Sequence, residues 1–279
     1  MAGAESSNGA RALEEDYGQA TARFYDAAYA RLPLPQLDGR DVAFYRELAR
    51  EGAGPVLELG CGTGRVLLEI AALGFPCTGL DASQHMLART RQKSTYPNLR
   101  LVHASMQSFD LAGERFGLIF SAFRAFQHLY GVQDQLACLA CVRRHLAPGG
   151  RFAFDVFAPR LARMAALDEP ETVDLRFSHE GEEVVRHAAV TRDPARQLLD
   201  VRFRYLRAAR TALPRRSKVL LHHGTTQVEA RLVLADRDQL AYVERLVPLV
   251  QERLKTLDEA PDLLAFCFTD ELDYRPELL

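Results

Sequence analysis

The apolar positions of this chain change rhythm about halfway along. From Gly54 to about Pro159, short apolar runs alternate with segments whose apolar residues recur at helical spacing. The runs Val56–Leu59, Phe75–Asp81, Leu99–Ala104, Leu118–Ser121 and Arg151–Val156 predict five strands. Val66–Leu73 and Asp134–Leu146, lying between them, predict helices, so the core is expected to be a parallel sheet with helices on both faces. Beyond Pro159, apolar and polar residues alternate singly in Thr172–Phe177, Glu183–Val190 and Leu198–Tyr205, the pattern of antiparallel strands wet on one side. Ahead of the core, Tyr17, Phe24–Tyr29 and Asp41–Leu48 form helical patterns rich in aromatic residues, following a polar start. Tyr242–Leu257 carries helical apolar faces, with Pro248 placed to begin a second helix. The expected organisation is a helical leader or lid over 1–50, an α/β core over 51–160, an antiparallel strand region over 161–234 and a helical tail over 235–279.

The first predicted strand runs into Gly60-Cys61-Gly62-Thr63-Gly64, three glycines at alternate positions, and a helical segment follows. Such a loop removes side chains where backbone must approach a ligand or adopt angles other residues resist. Gly74 and Pro76 stop that helix, and the second strand ends on Asp81, 21 residues after Gly60. A carboxylate about 20 residues past the first glycine is where an α/β nucleotide fold accepts hydrogen bonds from ribose hydroxyls. The dinucleotide fingerprint is excluded by register: Arg65 stands where its third glycine belongs, and restarting at Gly62 meets Leu67. What remains is an acidic residue, Glu58, two places before Gly60. Ligands in open α/β sheets sit beyond the carboxyl ends of the strands, where Gly60–Gly64, Asp81, Ser105 and Ser121 would converge.

With Glu58-x-Gly60-x-Gly62-x-Gly64, then Leu80–Leu87, Phe116–Phe123 and Leu146–Phe154 in order, the chain resembles the class I S-adenosylmethionine-dependent methyltransferases over residues ~15–206. The resemblance implies a Rossmann-like sheet, S-adenosyl-L-methionine as cofactor, and methyl transfer to nitrogen or oxygen of a small molecule. It implies that Gly60, Cys61, Gly62 and Gly64 approach the methionine and ribose portions, that Glu58 orients the loop or reaches the cofactor ammonium through water, and that Asp81 binds the ribose. Ala82 and Met86 would contact ribose or adenine, and Ser121 with the Phe120 carbonyl the methionine end. Many relatives place an aspartate after the third strand for the adenine amino group; here Ser105 and Met106 stand there, giving an uncharged acceptor. In the leader, Tyr25 matches the tyrosine of a Tyr-Asp-x-x-Tyr pattern and would close over the cofactor. Arg124 and His128, just past the fourth strand, are the candidates facing an acceptor, Arg124 for an anionic group and His128 for a proton; against this stands packing alone. The inserted strands would wall the substrate pocket.

The end of the chain departs from that family, which continues with a helix and an antiparallel hairpin. Here Arg207–Arg216 is rich in arginine, and the last ~45 residues resemble the anticodon-binding region of bacterial glutamyl-tRNA synthetases. No ATP-site signature of those enzymes occurs, so aminoacylation is excluded. A second reading follows: a protein that binds the cofactor without turnover, or a tRNA-binding module. The arginines at 202, 204, 207, 210, 215 and 216 with Lys218 make nucleic acid a secondary candidate partner.

Composition changes little. A formal net charge of −2 gives no general attraction to nucleic acid or membrane. No apolar run reaches ~18 residues and Met1–Ser7 has no signal-peptide character, so a cytoplasmic protein without membrane contact is expected. Five cysteines argue against a disulfide framework; Cys138-x-x-Cys141 reads as buried small residues on a helix, and no metal site is expected.

Overall fold

The computed structural model describes residues 17–31, 39–52, 54–157, 168–193, 198–207, 216–222 and 262–268. Two leader helices come first, α1 (Gln19–Tyr29) and α2 (Arg40–Glu51). There follow β1 (Val56–Leu59), α3 (Leu67–Ala71), β2 (Cys77–Asp81), α4 (Gln84–Lys93), β3 (Leu99–His103) and β4 (Phe116–Ser121). A 3-10 turn (Ala125–His128), α5 (Val132–His145) and β5 (Leu146–Phe157) complete the core. Strands β6 (Glu169–His179), β7 (Glu182–Asp193), β8 (Leu198–Arg207), β9 (Arg216–His222) and β10 (Asp262–Phe268) lie beyond it.

The main sheet has the order β10-β5-β4-β1-β2-β3, every pair parallel. Strand order reverses at β1, which lies between β2 and β4, so the ligand crevice of such a sheet falls at the carboxyl ends of β1 and β4. Alternation along β1 shows how the sequence sorts its faces: Leu57 and Leu59 pack with α5 and the 3-10 turn, while Val56 packs with α2, α3 and α4. β5 repeats the division, with Phe152 and Phe154 on the α5 face and Ala153 on the α2 face.

A second sheet, antiparallel in the order β6-β7-β8-β9, lies beyond the core as its alternating pattern predicts. Phe24 and Ala28 of α1 pack on Phe177 and Val184 of that sheet. The leader helix is therefore held by the inserted strands on one side, and its remaining side faces the glycine loop.

One reading of the chain's end is revised. Residues 262–268, inside the tail expected to be helical, run as β10 parallel to β5; the segment 242–257 that suggested helices lies outside the described residues. Pro148-Gly149-Gly150 lies inside β5, whose pairing with β4 shifts register between Phe116 and Leu118. No described helix is long and apolar enough to cross a membrane.

Candidate active site

The glycine loop leaves β1 with all three glycines in the left-handed region, at φ +71°, +54° and +80° for Gly60, Gly62 and Gly64. Their surroundings differ. A Cβ on Gly60 would fall 2.7 Å from the Cβ of Ala125, and one on Gly64 would fall 2.7 Å from Cγ2 of Thr90. At Gly62 no described atom lies within 4 Å of that position. Two glycines thus serve the packing of the loop, and the third keeps its outer surface bare.

Asp81 holds the loop from the end of β2. Its Oδ2 accepts the Gly62 amide at 2.7 Å and its Oδ1 accepts the Ser83 amide at 2.8 Å. Burial raises this carboxyl, opposed by those two amide bonds. Ser83 caps α4 by accepting the Met86 amide at 3.2 Å and donates its hydroxyl to the Tyr17 carbonyl at 2.6 Å. Beneath the loop, burial pushes Glu58 well above the usual carboxylate range, with Arg65 opposing; its carboxylate accepts the Leu67 amide, and its Oε2 has no partner among the described residues.

The leader crosses above. Asp26 of α1 accepts the Thr63 hydroxyl at 2.6 Å and the Lys93 ammonium at 2.9 Å, tying the helix to the glycine loop and to the end of α4. Asp41 at the start of α2 takes both ends of the Arg65 guanidinium, with Nη1 to Oδ1 at 3.0 Å. Arg65 lies over the Phe123 ring at 5.2 Å, and Tyr29 meets that ring edge-on at 5.5 Å. Tyr25 and Tyr29 are 4.4 Å apart, centroid to centroid. Burial raises both phenols, and the Asp81 charge adds to the rise at Tyr25, which lies close to it. Past β4, the Tyr17 hydroxyl meets His128 Nε2 at 3.0 Å, and Nδ1 of the same ring is 3.5 Å from the Tyr130 hydroxyl.

Residues 56–150 match the family described as "Methyltransferase domain", and residues 217–279 the one described as "Anticodon binding domain". A curated relative from Streptomyces fradiae, dTDP-3-amino-3,6-dideoxy-alpha-D-glucopyranose N,N-dimethyltransferase, is 28% identical over 185 residues, covering 61% of this chain and 68% of the relative. The solved structure of SAM-bound CalS10, an amino pentose methyltransferase from Micromonospora echinaspora, is 30% identical over 78% of this chain and 87% of that one, with a TM-score of 0.55. The chain belongs to the class I S-adenosylmethionine-dependent methyltransferases. Its end carries the other resemblance: glutamate–tRNA ligase of Roseiflexus castenholzii is 55% identical over 42 residues, 15% of this chain and 8% of the ligase.

In this methyltransferase the residues present fit S-adenosylmethionine: the bare face of Gly62, the half-buried Asp81 carboxylate with lone pairs to spare, and uncharged backbone between them. Other predicted residues divide by environment. Ala82 is half-buried and its carbonyl meets His103 Nε2 at 2.9 Å, while Met86 is buried beneath the cap of α4. Ser105 is half-buried, its hydroxyl accepting the Gln107 amide at 3.4 Å, and the Met106 side chain reaches to 3.3 Å from the Cβ position of Gly60. Ser121 is wholly buried and donates to the Leu59 carbonyl at 3.1 Å, so its side chain stitches β4 to β1. The Phe120 ring stacks on Tyr45 at 4.6 Å. Cys61 is buried, and that burial pushes its thiol up. Arg124, half-buried, lies over Phe123 at 5.3 Å.

Sequence reasoning passed over Asp26, Asp41, Thr63 and Asp155, and read Tyr17 and Tyr29 only as members of an aromatic leader. Asp155 left a legible trace, since it is a lone carboxylate near the carboxyl end of an apolar strand, as Asp81 is on β2. Cys138 and Cys141 are buried in the α5 face of the core. Arg202, Arg204 and Arg207, three of the seven basic residues of that stretch, pair with Asp200, Glu171 and Glu182; Arg210 and Arg215 lie outside the described residues.

Proposed function

We propose that this methyltransferase acts on the amine of a small hydroxylated ring compound, an amino sugar joined to a nucleotide being the class to test first. The observation that carries the reading is the Tyr17–His128 pair at 3.0 Å, which brings the leader onto the acceptor side of the loop. Around it stand Tyr25, Tyr29, Tyr130 and Phe123, rings that suit the C–H faces of a sugar while their hydroxyls suit its oxygens. Likeness to an amino pentose methyltransferase and to an amino sugar N,N-dimethyltransferase supports the same choice of atom.

When bound, S-adenosylmethionine supplies an electrophilic methyl on a sulfonium. Gly62 and Asp81 would hold its ribose and methionine portions, with Glu58 steadying the loop from below. The leader, latched through Asp26 to Thr63, covers the site as a lid and keeps water from the reacting atoms. The acceptor's nitrogen lone pair then needs only alignment, which is worth most of the acceleration in a displacement of this kind. An amine that arrives as an ammonium must first lose a proton. His128, oriented by Tyr17, is placed to take it.

The test is turnover with radiolabelled cofactor on dTDP-3-amino-3,6-dideoxy-glucose and on its 3-hydroxy counterpart. Label in the amine alone supports nitrogen transfer. Label in the hydroxy compound alone overturns it in favour of oxygen, and label in neither overturns the amino sugar class.

A further inference from the structure

Asp155 sits on the α2 face of β5, next to the strand that ends at the acceptor side. It is 2% exposed and accepts three hydrogen bonds. Oδ1 takes the Phe123 amide at 2.7 Å and the Tyr45 hydroxyl at 2.8 Å, and Oδ2 takes the Arg124 amide at 2.8 Å. Phe123 and Arg124 have φ of +55° and +66°, two successive side-chain-bearing residues in the left-handed region. Such a pair is disfavoured and persists only where its surroundings dictate it. One carboxylate facing both amides is what dictates it here.

The turn so held carries the acceptor side of the site. Phe123 is the ring met by Tyr29 and Arg65. Ala125 packs where a Cβ on Gly60 would stand, and His128 reaches Tyr17. We propose that Asp155, as the carboxylate, is a positioning residue for methyl transfer: it clamps the left-handed Phe123–Arg124 turn and thereby places Phe123 and His128 against the leader. The inference rests on the acceptor-side reading above.

Protonation would convert an acceptor oxygen into a donor facing a donor, loosening the clamp. Burial pushes the Asp155 carboxyl up to about 6, with the Asp41 charge adding to the rise and the bonds from Tyr45, Arg124 and Phe123 opposing it. The groups facing it are Tyr45 and Asp41 of α2 and the amides of the turn; Asp41 is itself paired with Arg65.

The experiment measures amide-exchange protection of the peptide spanning residues 121–130, corrected for intrinsic rate, between pH 5 and 8 in wild type, Asp155→Asn and Tyr45→Phe. Wild type is expected to lose at least tenfold in protection below pH ~6, a step absent in Asp155→Asn. In Tyr45→Phe, which removes a bond favouring the charged form, the step moves to higher pH. In parallel, at pH 7.5, Asp155→Asn lowers kcat for the amino sugar at least 30-fold while S-adenosylhomocysteine affinity stays within threefold. A pH-independent protection in wild type, or an Asp155→Asn enzyme with wild-type kcat, overturns the proposal. If wild type does not methylate the amino sugar, the acceptor reading fails and the exchange step alone decides the clamp.

Discussion

Replacing Gly60 and Gly62 by alanine, one at a time, separates what the loop does for the fold from what it does for the ligand. Both residues have positive φ, so each substitution costs about 1–2 kcal/mol in backbone strain. At Gly60 the new Cβ arrives 2.7 Å from the Ala125 Cβ and 3.3 Å from Met106 Cε. The methionine tip yields readily, but an alanine Cβ moves only with its backbone, adding roughly 1–3 kcal/mol of overpacking. At Gly62 no described atom lies within 4 Å, so strain is the whole cost to the fold. Gly60→Ala should therefore lower Tm by roughly 4–20 °C and Gly62→Ala by roughly 2–8 °C, at about 2–4 °C per kcal/mol for a chain of this size. Affinity should rank the other way between fold and site: Gly62→Ala, with its methyl on the ligand side of the loop, should weaken S-adenosylhomocysteine at least tenfold, or about 1.4 kcal/mol. Differential scanning fluorimetry and calorimetric titration read the two effects. Wild-type affinity in Gly62→Ala, or a Tm loss equal to that of Gly60→Ala, would refute the assignment of the bare face to the cofactor.

Other substitutions probe the remaining supports. Asp81→Ala removes the acceptor for the Gly62 and Ser83 amides together with the proposed ribose contact, and calorimetry should show cofactor affinity reduced at least 100-fold. Asp26→Ala frees α1 from Thr63 and Lys93; stopped-flow release of S-adenosylhomocysteine should quicken about tenfold, and an unchanged rate would deny the leader its role as a lid. Asp155 also makes stability depend on pH. Its folded value of about 6 exceeds the ~3.9 of an unfolded aspartate, so the native state holds the extra proton between those values. Its contribution to stability is therefore greatest below pH ~4 and falls by up to about 3 kcal/mol as pH rises through 6. Urea unfolding should show that fall in wild type relative to Asp155→Asn, and parallel profiles would sink the linkage.

The glycine loop and its two flanking carboxylates were legible in local sequence. Three alternate glycines, a carboxylate two places before them and another 21 residues after are short-range features, and the structure assembles them around one loop. The turn after β4 and the docking of the leader were harder to read because their contacts are long-range. Asp155 meets amides 31 and 32 residues earlier, and Asp26 meets Thr63 across 37 residues, pairings that become visible only once strand order and leader docking are known. Ser121 shows a further effect of strand neighbours. Its place after the fourth strand suggested a ligand contact, but a side chain on a central strand has a neighbouring backbone within reach, and the Leu59 carbonyl claims it. Residues 262–268 illustrate a third difficulty, since the apolar run of six, Leu263–Phe268, fits a strand as well as a helix segment, and only its pairing with β5 decides.

The account as a whole stands on where the cofactor and acceptor meet, and a crystal structure of the protein with S-adenosylhomocysteine locates that point. The predicted density places the ribose hydroxyls on Asp81, the backbone of Gly62 against the ligand, and the thioether sulfur facing the Tyr17–His128 pair. Density for the cofactor away from the Gly62 face, or with the sulfur turned from His128, would contradict it.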